Sequence, residues 1–192
     1  MYSYILQQKH SPIFLSLPSI FTGMITITFP DGNTKQYEQG VTSLDVAKSI
    51  SEGLARNVLS ANVNGAVVDA MLPIKTDTEI LFYTWKDTEG KNTMWHSSAH
   101  LFAEALEFYY PGVKFGIGPP VENGFYYDVD LGEKTISSED FKKIEQKMLE
   151  LARLKNTFVR SEVSKKEALD YFTKKGDEYK FCLLYTSDAA DE

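Results

Sequence analysis

Apolar and polar residues alternate over Met24-Ile25-Thr26-Ile27-Thr28-Phe29, then give way to Pro30-Asp31-Gly32-Asn33, a cluster of turn residues. That pattern predicts a strand, a tight turn and a short returning strand near Lys35–Tyr37. The period then changes. Leu44, Val46, Ala47, Ile50 and Leu54 share one helical stripe, opened by Thr42 and Asp45 at capping-box spacing, with Gly53 close to its end. Two more extended runs follow, Val58–Val63 and Glu79–Trp85, with a turn at Asn64-Gly65 and a break at Pro73 between them. Strand-strand-helix-strand-strand is the β-grasp pattern, an α+β arrangement. A unit this small buries only ~60% of its unfolded surface, which suits an appended module better than a complete enzyme.

The polar run Lys86–Asn92 reads as a linker. A helix follows over about Thr93 to Tyr110, with Trp95, Ala99, Phe102, Leu106 and Tyr109 on its stripe and Pro111-Gly112 ending it. Residues 115–130 then form a glycine-rich strand or loop, in which Asn123-Gly124 predicts a turn into an aromatic strand. A long helix capped near Ser138 turns Phe141, Ile144, Met148 and Leu151 inward. A short strand near Phe158–Val163 precedes a last helix, opened by Ser164 and Glu167 and closed by Gly176. The division is therefore residues 24–84, a linker at 85–92 and a second α+β unit over 93–180.

The two ends break the pattern. Residues 1–23 carry one formal charge, Lys9, and an apolar run interrupted by Pro18. They lack the basic region, unbroken apolar stretch and cleavage site of a secretory signal. They read as translated leader, with Met24 as the start. Residues 182–192, CLLYTSDAADE, resemble one reading frame of a transposase adapter used in sequencing libraries. Residues 181–192 therefore read as an adapter-derived tail on a natural chain cut near Lys180.

Composition narrows the possibilities. With 192 residues, 43% hydrophobic and 24% charged, the chain is globular. A net charge of −7 argues against a broad grip on phosphates, though not against a local basic groove. No run of 18 apolar residues exists and no G-x-x-x-x-G-K-[ST] loop exists, so neither a membrane span nor a nucleotide-hydrolysing phosphate loop is expected. The single cysteine, Cys182, lies in the suspect tail, so it cannot be assigned as a nucleophile.

Of the three histidines, two stand at i and i+4 in Trp95-His96-Ser97-Ser98-Ala99-His100. On a helix both imidazoles share one face, about 100° from Trp95, suited to the edge of a cleft. The spacing suits zinc, but the H-E-x-x-H base is missing and only two ligands are visible where zinc needs three or four. Two histidines hydrogen-bonding at a helix surface would show the same spacing.

Further strings carry a resemblance: Phe29-Pro30-Asp31-Gly32, the His96–His100 segment, Gly116-Ile117-Gly118-Pro119, Asn123-Gly124-Phe125-Tyr126-Tyr127-Asp128 and Gly176-Asp177-Glu178-Tyr179-Lys180. Residues 24–84 resemble the TGS domain, and Trp85–Lys180 resembles the first part of the editing domain of the bacterial threonyl-tRNA synthetase family, whose histidine helix alanyl-tRNA synthetase editing domains share. The resemblance implies a β-grasp TGS domain followed by an incomplete α+β editing domain. It places His96 and His100 in the editing pair and gives Lys180 the misacylated end to hold. The family's second half-site, Cys-x-x-x-His, has no counterpart, since Thr186 stands four residues after Cys182.

The resemblance further implies a parent ligase that charges tRNA(Thr) with threonine using ATP and hydrolyses mischarged seryl-tRNA(Thr). ATP, Mg and a zinc ion would sit in a catalytic core outside this chain, so no cofactor and no metal is expected here. The expected partner is tRNA(Thr), with homodimerisation through missing domains, no membrane and a cytoplasmic location. The fragment itself is expected to be inactive. Two other classes compete: a freestanding trans-editing hydrolase, and a non-enzymatic TGS-type regulatory or RNA-binding module.

Overall fold

The computed structural model describes residues 2–8, 23–156 and 158–186. Two compact units emerge, one within Leu15–Ser97 and Pro120–Glu122, the other within Met1–Phe14, Ser98–Pro119 and Asn123–Glu192.

Strand β1 (Tyr2–Gln8) falls in the stretch read as leader and pairs antiparallel with β11 (Phe158–Ser164) of the same unit. The remainder of that stretch, up to Thr22, lies outside the described residues.

The first unit is the expected β-grasp. Strands β2 (Met24–Thr28) and β3 (Thr34–Glu38) form the opening hairpin. Helix α1 (Ser43–Ile50) starts at the anticipated capping box: the Thr42 side chain accepts the Asp45 N–H while Asp45 turns back onto Thr42. Strands β4 (Ser60–Val63), β5 (Ala66–Asp69) and β6 (Thr78–Tyr83) complete a five-stranded sheet, ordered β3-β2-β6-β4-β5 with β2 and β6 parallel. The core beneath it is Ile25, Ile27, Val46, Ala61, Ile74 and Ile80.

Three local expectations change. Asn64 and Gly65 both take positive φ, 51° and 88°, as a two-residue hairpin turn requires, and so a further strand, β5, follows where only a turn was expected. Ile50 is 50% exposed because α1 ends there: Ser51 is extended and restarts the chain as the short helix α2 (Glu52–Ala55). Gly53 therefore lies inside α2 rather than at a cap. The polar run read as a linker is helical from Thr88, where α3 (Thr88–Tyr109) begins. Its start is built by Asp87, whose carboxylate accepts the Thr84 N–H at 2.7 Å and whose carbonyl accepts the Lys91 N–H at 3.0 Å.

The second unit packs the later turns of α3 against α4 (Ser138–Leu154) over a core of Ala105, Leu106, Tyr110, Phe115, Ile144 and Leu151. Between the two helices in sequence, the glycine-rich segment forms four two-residue strands: β7 (Lys114–Phe115), β8 (Pro120–Val121), β9 (Gly124–Phe125) and β10 (Val129–Asp130); β8 groups with the first unit, and within the second β7 is antiparallel to β10. The turn before β9 falls on Glu122-Asn123, one residue earlier than the Asn-Gly pair suggested, and Gly124 is already in the strand. Phe141, expected inward, is 56% exposed on the first turn of α4, while Ile144 and Leu151 are buried.

Helix α5 (Lys165–Lys175) begins at the Ser164/Glu167 capping box and ends at Gly176 in the left-handed region (φ 70°), as its sequence demands. A further helix, α6 (Glu178–Thr186), follows at once and runs through Cys182 into the stretch read as adapter-derived. Residues beyond Thr186 lie outside the described residues.

Candidate functional site

Helix α3 places both histidines as their spacing demands, one turn apart on a single helix. Its first turns are anchored to the β-grasp unit. The Thr93 hydroxyl donates to Ser60 Oγ at 3.1 Å, and the Trp95 ring meets Trp85 edge-on at 5.4 Å. Ala99 is buried at 2% exposure, whereas His96 is exposed and His100 half-buried. The imidazoles thus border the packed stripe without being enclosed in it. His96 falls in the first unit and His100 in the second.

Lys180 is the third expected site residue. It lies in the first turn of α6, half-buried, with its Nζ donating to the Gly116 carbonyl at 2.9 Å. Burial lowers its pKa below the ordinary lysine value; the Asp177 carboxylate opposes that shift and the Lys175 ammonium adds to it. The structure therefore joins Lys180 to the glycine-rich ribbon, and it joins His96 to His100 through α3.

The ribbon is held by aromatic packing. Tyr127 lies edge-on to Phe115 at 5.4 Å and tilted against Phe102 at 6.1 Å, while Phe102 also meets Phe125 at 6.0 Å. Gly118 permits this: a β-carbon there would lie 2.7 Å from the Tyr127 ring. Burial raises the Tyr127 pKa, and the Asp177 charge raises it further.

Beside the ribbon is a cleft of about 470 Å³ lined by Gly116, Ile117, Asp128, Val129, Asp130, Tyr179 and Cys182. That volume lies within the ~300–1,000 Å³ of small-molecule sites. Two of its lining residues are tied together, the Tyr179 hydroxyl donating to Asp130 Oδ2 at 3.1 Å; next to Tyr179 in the chain, Glu178 meets Lys114 at 3.0 Å. The Asp130 carboxyl is held below its usual range, first by the Gly132 N–H and then by the Tyr179 hydroxyl. Among the described residues no group of three His, Cys, Asp or Glu side chains is placed to hold a metal ion.

Two participants went unread in the sequence. The Gly116 acceptor is a backbone carbonyl and leaves no trace in residue type. Asp177 left one: an acid directly after a helix-ending glycine is an N-cap signal for a second helix.

Comparison with known proteins supplies the context. Residues 25–84 match the TGS domain family. The chain is 60% identical to a threonine–tRNA ligase of Cytophaga hutchinsonii over 161 residues, which is 84% of this chain and 25% of that protein. It is 53% identical to one of Porphyromonas gingivalis over 169 residues, 88% of this chain and 26% of the relative. A third, from Bacteroides thetaiotaomicron, is 52% identical over 84% of this chain and 25% of its own length. The chain spans about a quarter of the length of these curated relatives.

Proposed function

From a chain that carries a TGS domain and matches an N-terminal fragment of threonine–tRNA ligases, we propose the TGS domain and half of the editing site of such a ligase. The whole enzyme charges tRNA(Thr) with threonine using ATP and hydrolyses seryl-tRNA(Thr) formed in error. ATP, Mg and the zinc ion belong to the part of the ligase outside this chain, as do the contacts of a homodimer. Its place is the cytoplasm; no helix among the described residues is long and apolar enough to cross a membrane.

The need for hydrolysis is energetic. Serine differs from threonine by one methyl, worth only ~1–3 kcal/mol in a synthetic site, or roughly 10–200-fold. A second site that admits serine and sterically rejects threonine supplies the remaining accuracy. Cleaving the ester needs an oriented water, a stabilised oxyanion and a proton for the departing ribose oxygen. Imidazoles, with an unperturbed pKa of about 6.5, hold or pass such protons near neutrality. His96 and His100 position water or the ribose end, and Lys180 orients the substrate.

The observation that carries this reading is the half-buried Lys180 ammonium, held on the carbonyl of Gly116, a residue that lines the cleft. A long cation in that setting suits a substrate contact better than a solvated surface charge.

The test uses the full-length ligase containing this sequence. His96→Ala combined with His100→Ala should raise seryl-tRNA(Thr) accumulation and leave threonine charging intact. Equal loss of both activities would refute the editing role. The 192-residue chain alone is expected to do neither reaction, so turnover in a deacylation assay would overturn that part.

A further inference from the structure

Asp177 stands in a string whose last residue has a proposed role, yet its own contacts give it another task. It is the joint between α5 and α6. Its N–H donates to the Phe172 carbonyl at 3.0 Å, its carbonyl accepts the Phe181 N–H at 3.0 Å, and its Oδ1 accepts the Lys180 N–H at 3.1 Å. The carboxylate thus caps the first turn of α6 on the backbone amide of Lys180 itself.

The residues that follow each reach the β7/β10 ribbon: Glu178 through Lys114, Tyr179 through Asp130 and Lys180 through Gly116. These contacts differ in weight. The Glu178 side chain is 80% exposed, so its ion pair is screened and worth little. The Tyr179 bond ties down the neighbouring residue and leaves the Lys180 backbone unconstrained. The Asp177 cap, together with the Phe181 N–H that its carbonyl accepts, fixes the main chain from which the Lys180 side chain departs.

We propose that Asp177 is the positioning residue for Lys180: by capping α6 it sets the turn that delivers the ammonium to the Gly116 carbonyl. The inference rests on the role given to Lys180 above. The Asp177 charge also opposes the desolvation of that ammonium, a secondary contribution.

The experiment measures seryl-tRNA(Thr) deacylation and threonine charging side by side in the full-length ligase. Its variants are Lys180→Ala, Asp177→Ala and Asp177→Asn. Asparagine caps as well as aspartate but carries no charge. Asp177→Ala should lower the deacylation kcat roughly 10–100-fold, the scale of a ~1 Å misplacement, with KM and charging little changed. Asp177→Asn should stay within about threefold of the parent, since the cap survives. If Asp177→Ala does not fold, Asp177→Glu, which keeps the charge but caps poorly, replaces it with the same loss expected.

Loss in Asp177→Asn equal to that in Asp177→Ala would overturn the capping assignment. Unchanged deacylation in Asp177→Ala, beside a clear loss in Lys180→Ala, would overturn the proposal and leave the editing reading standing. Unchanged deacylation in Lys180→Ala would instead remove the reading on which the proposal rests.

Discussion

Replacing Gly90 by alanine sets two effects of opposite sign against each other. Gly90 is buried in the first turn of α3, and in an ordinary helix interior alanine would stabilise by about 1 kcal/mol. Here a β-carbon would press into the Thr84 carbonyl oxygen and lie 2.7 Å from its carbon and 3.1 Å from the Thr84 nitrogen. The obstacle is backbone, which cannot swing aside as a side chain can. Ordinary contact requires Thr84 and the helix to part by well over 1 Å, which places the cost at the upper end of the ~1–3 kcal/mol of overpacking. That movement also strains the hydrogen bond in which Asp87 accepts the Thr84 N–H. The opposing terms leave Gly90→Ala destabilising by roughly 2 kcal/mol. Gly53→Ala is the control. A β-carbon there meets only Ser51 Oγ at 3.8 Å, so the same change in α2 should be neutral or stabilising by up to about 1 kcal/mol.

Urea unfolding followed by tryptophan fluorescence reads both variants. The chain's two tryptophans, Trp85 and Trp95, flank the junction with their rings 5.4 Å apart. A loss of 2 kcal/mol should lower the Gly90→Ala midpoint by roughly 1 M urea for a typical slope. A Gly90→Ala midpoint at or above that of the parent, with the tryptophan signal unchanged, would refute the close-approach argument.

Two further outcomes are expected. Gly118→Ala should displace the Tyr127 ring and cost ~1–3 kcal/mol, but distinctly less in a Tyr127→Ala background; equal costs in both backgrounds, measured by a double-mutant cycle, would sink the contact. Asp140 titrates well below the usual carboxylate range because Lys143 and then the Ser137 N–H and hydroxyl bond its charged form. A depressed folded pKa adds stability that is present above the unfolded value of about 3.9 and lost as pH falls toward the folded value. Asp140→Asn should therefore lower Tm at neutral pH and lose less on acidification from pH 5 to 2; parallel Tm–pH curves would contradict it.

Residue type and spacing were enough for the elements whose causes are local. The Thr42/Asp45 and Ser164/Glu167 capping boxes, the left-handed Gly176 and the alternation of β2 each satisfy backbone groups within a few residues, so no distant partner is needed to read them. The i, i+4 relation of His96 and His100 is of the same kind, since helix geometry fixes it once the helix is granted. Tertiary structure decided what depends on partners far along the chain. Gly90 looked like a linker glycine until Thr84 was found against it, and β5 became a strand only with β4 beside it. The delivery of Lys180 to Gly116 spans 64 positions and ends on a backbone carbonyl, which every residue possesses. Such an acceptor carries no letter of its own, so only the folded chain could choose it.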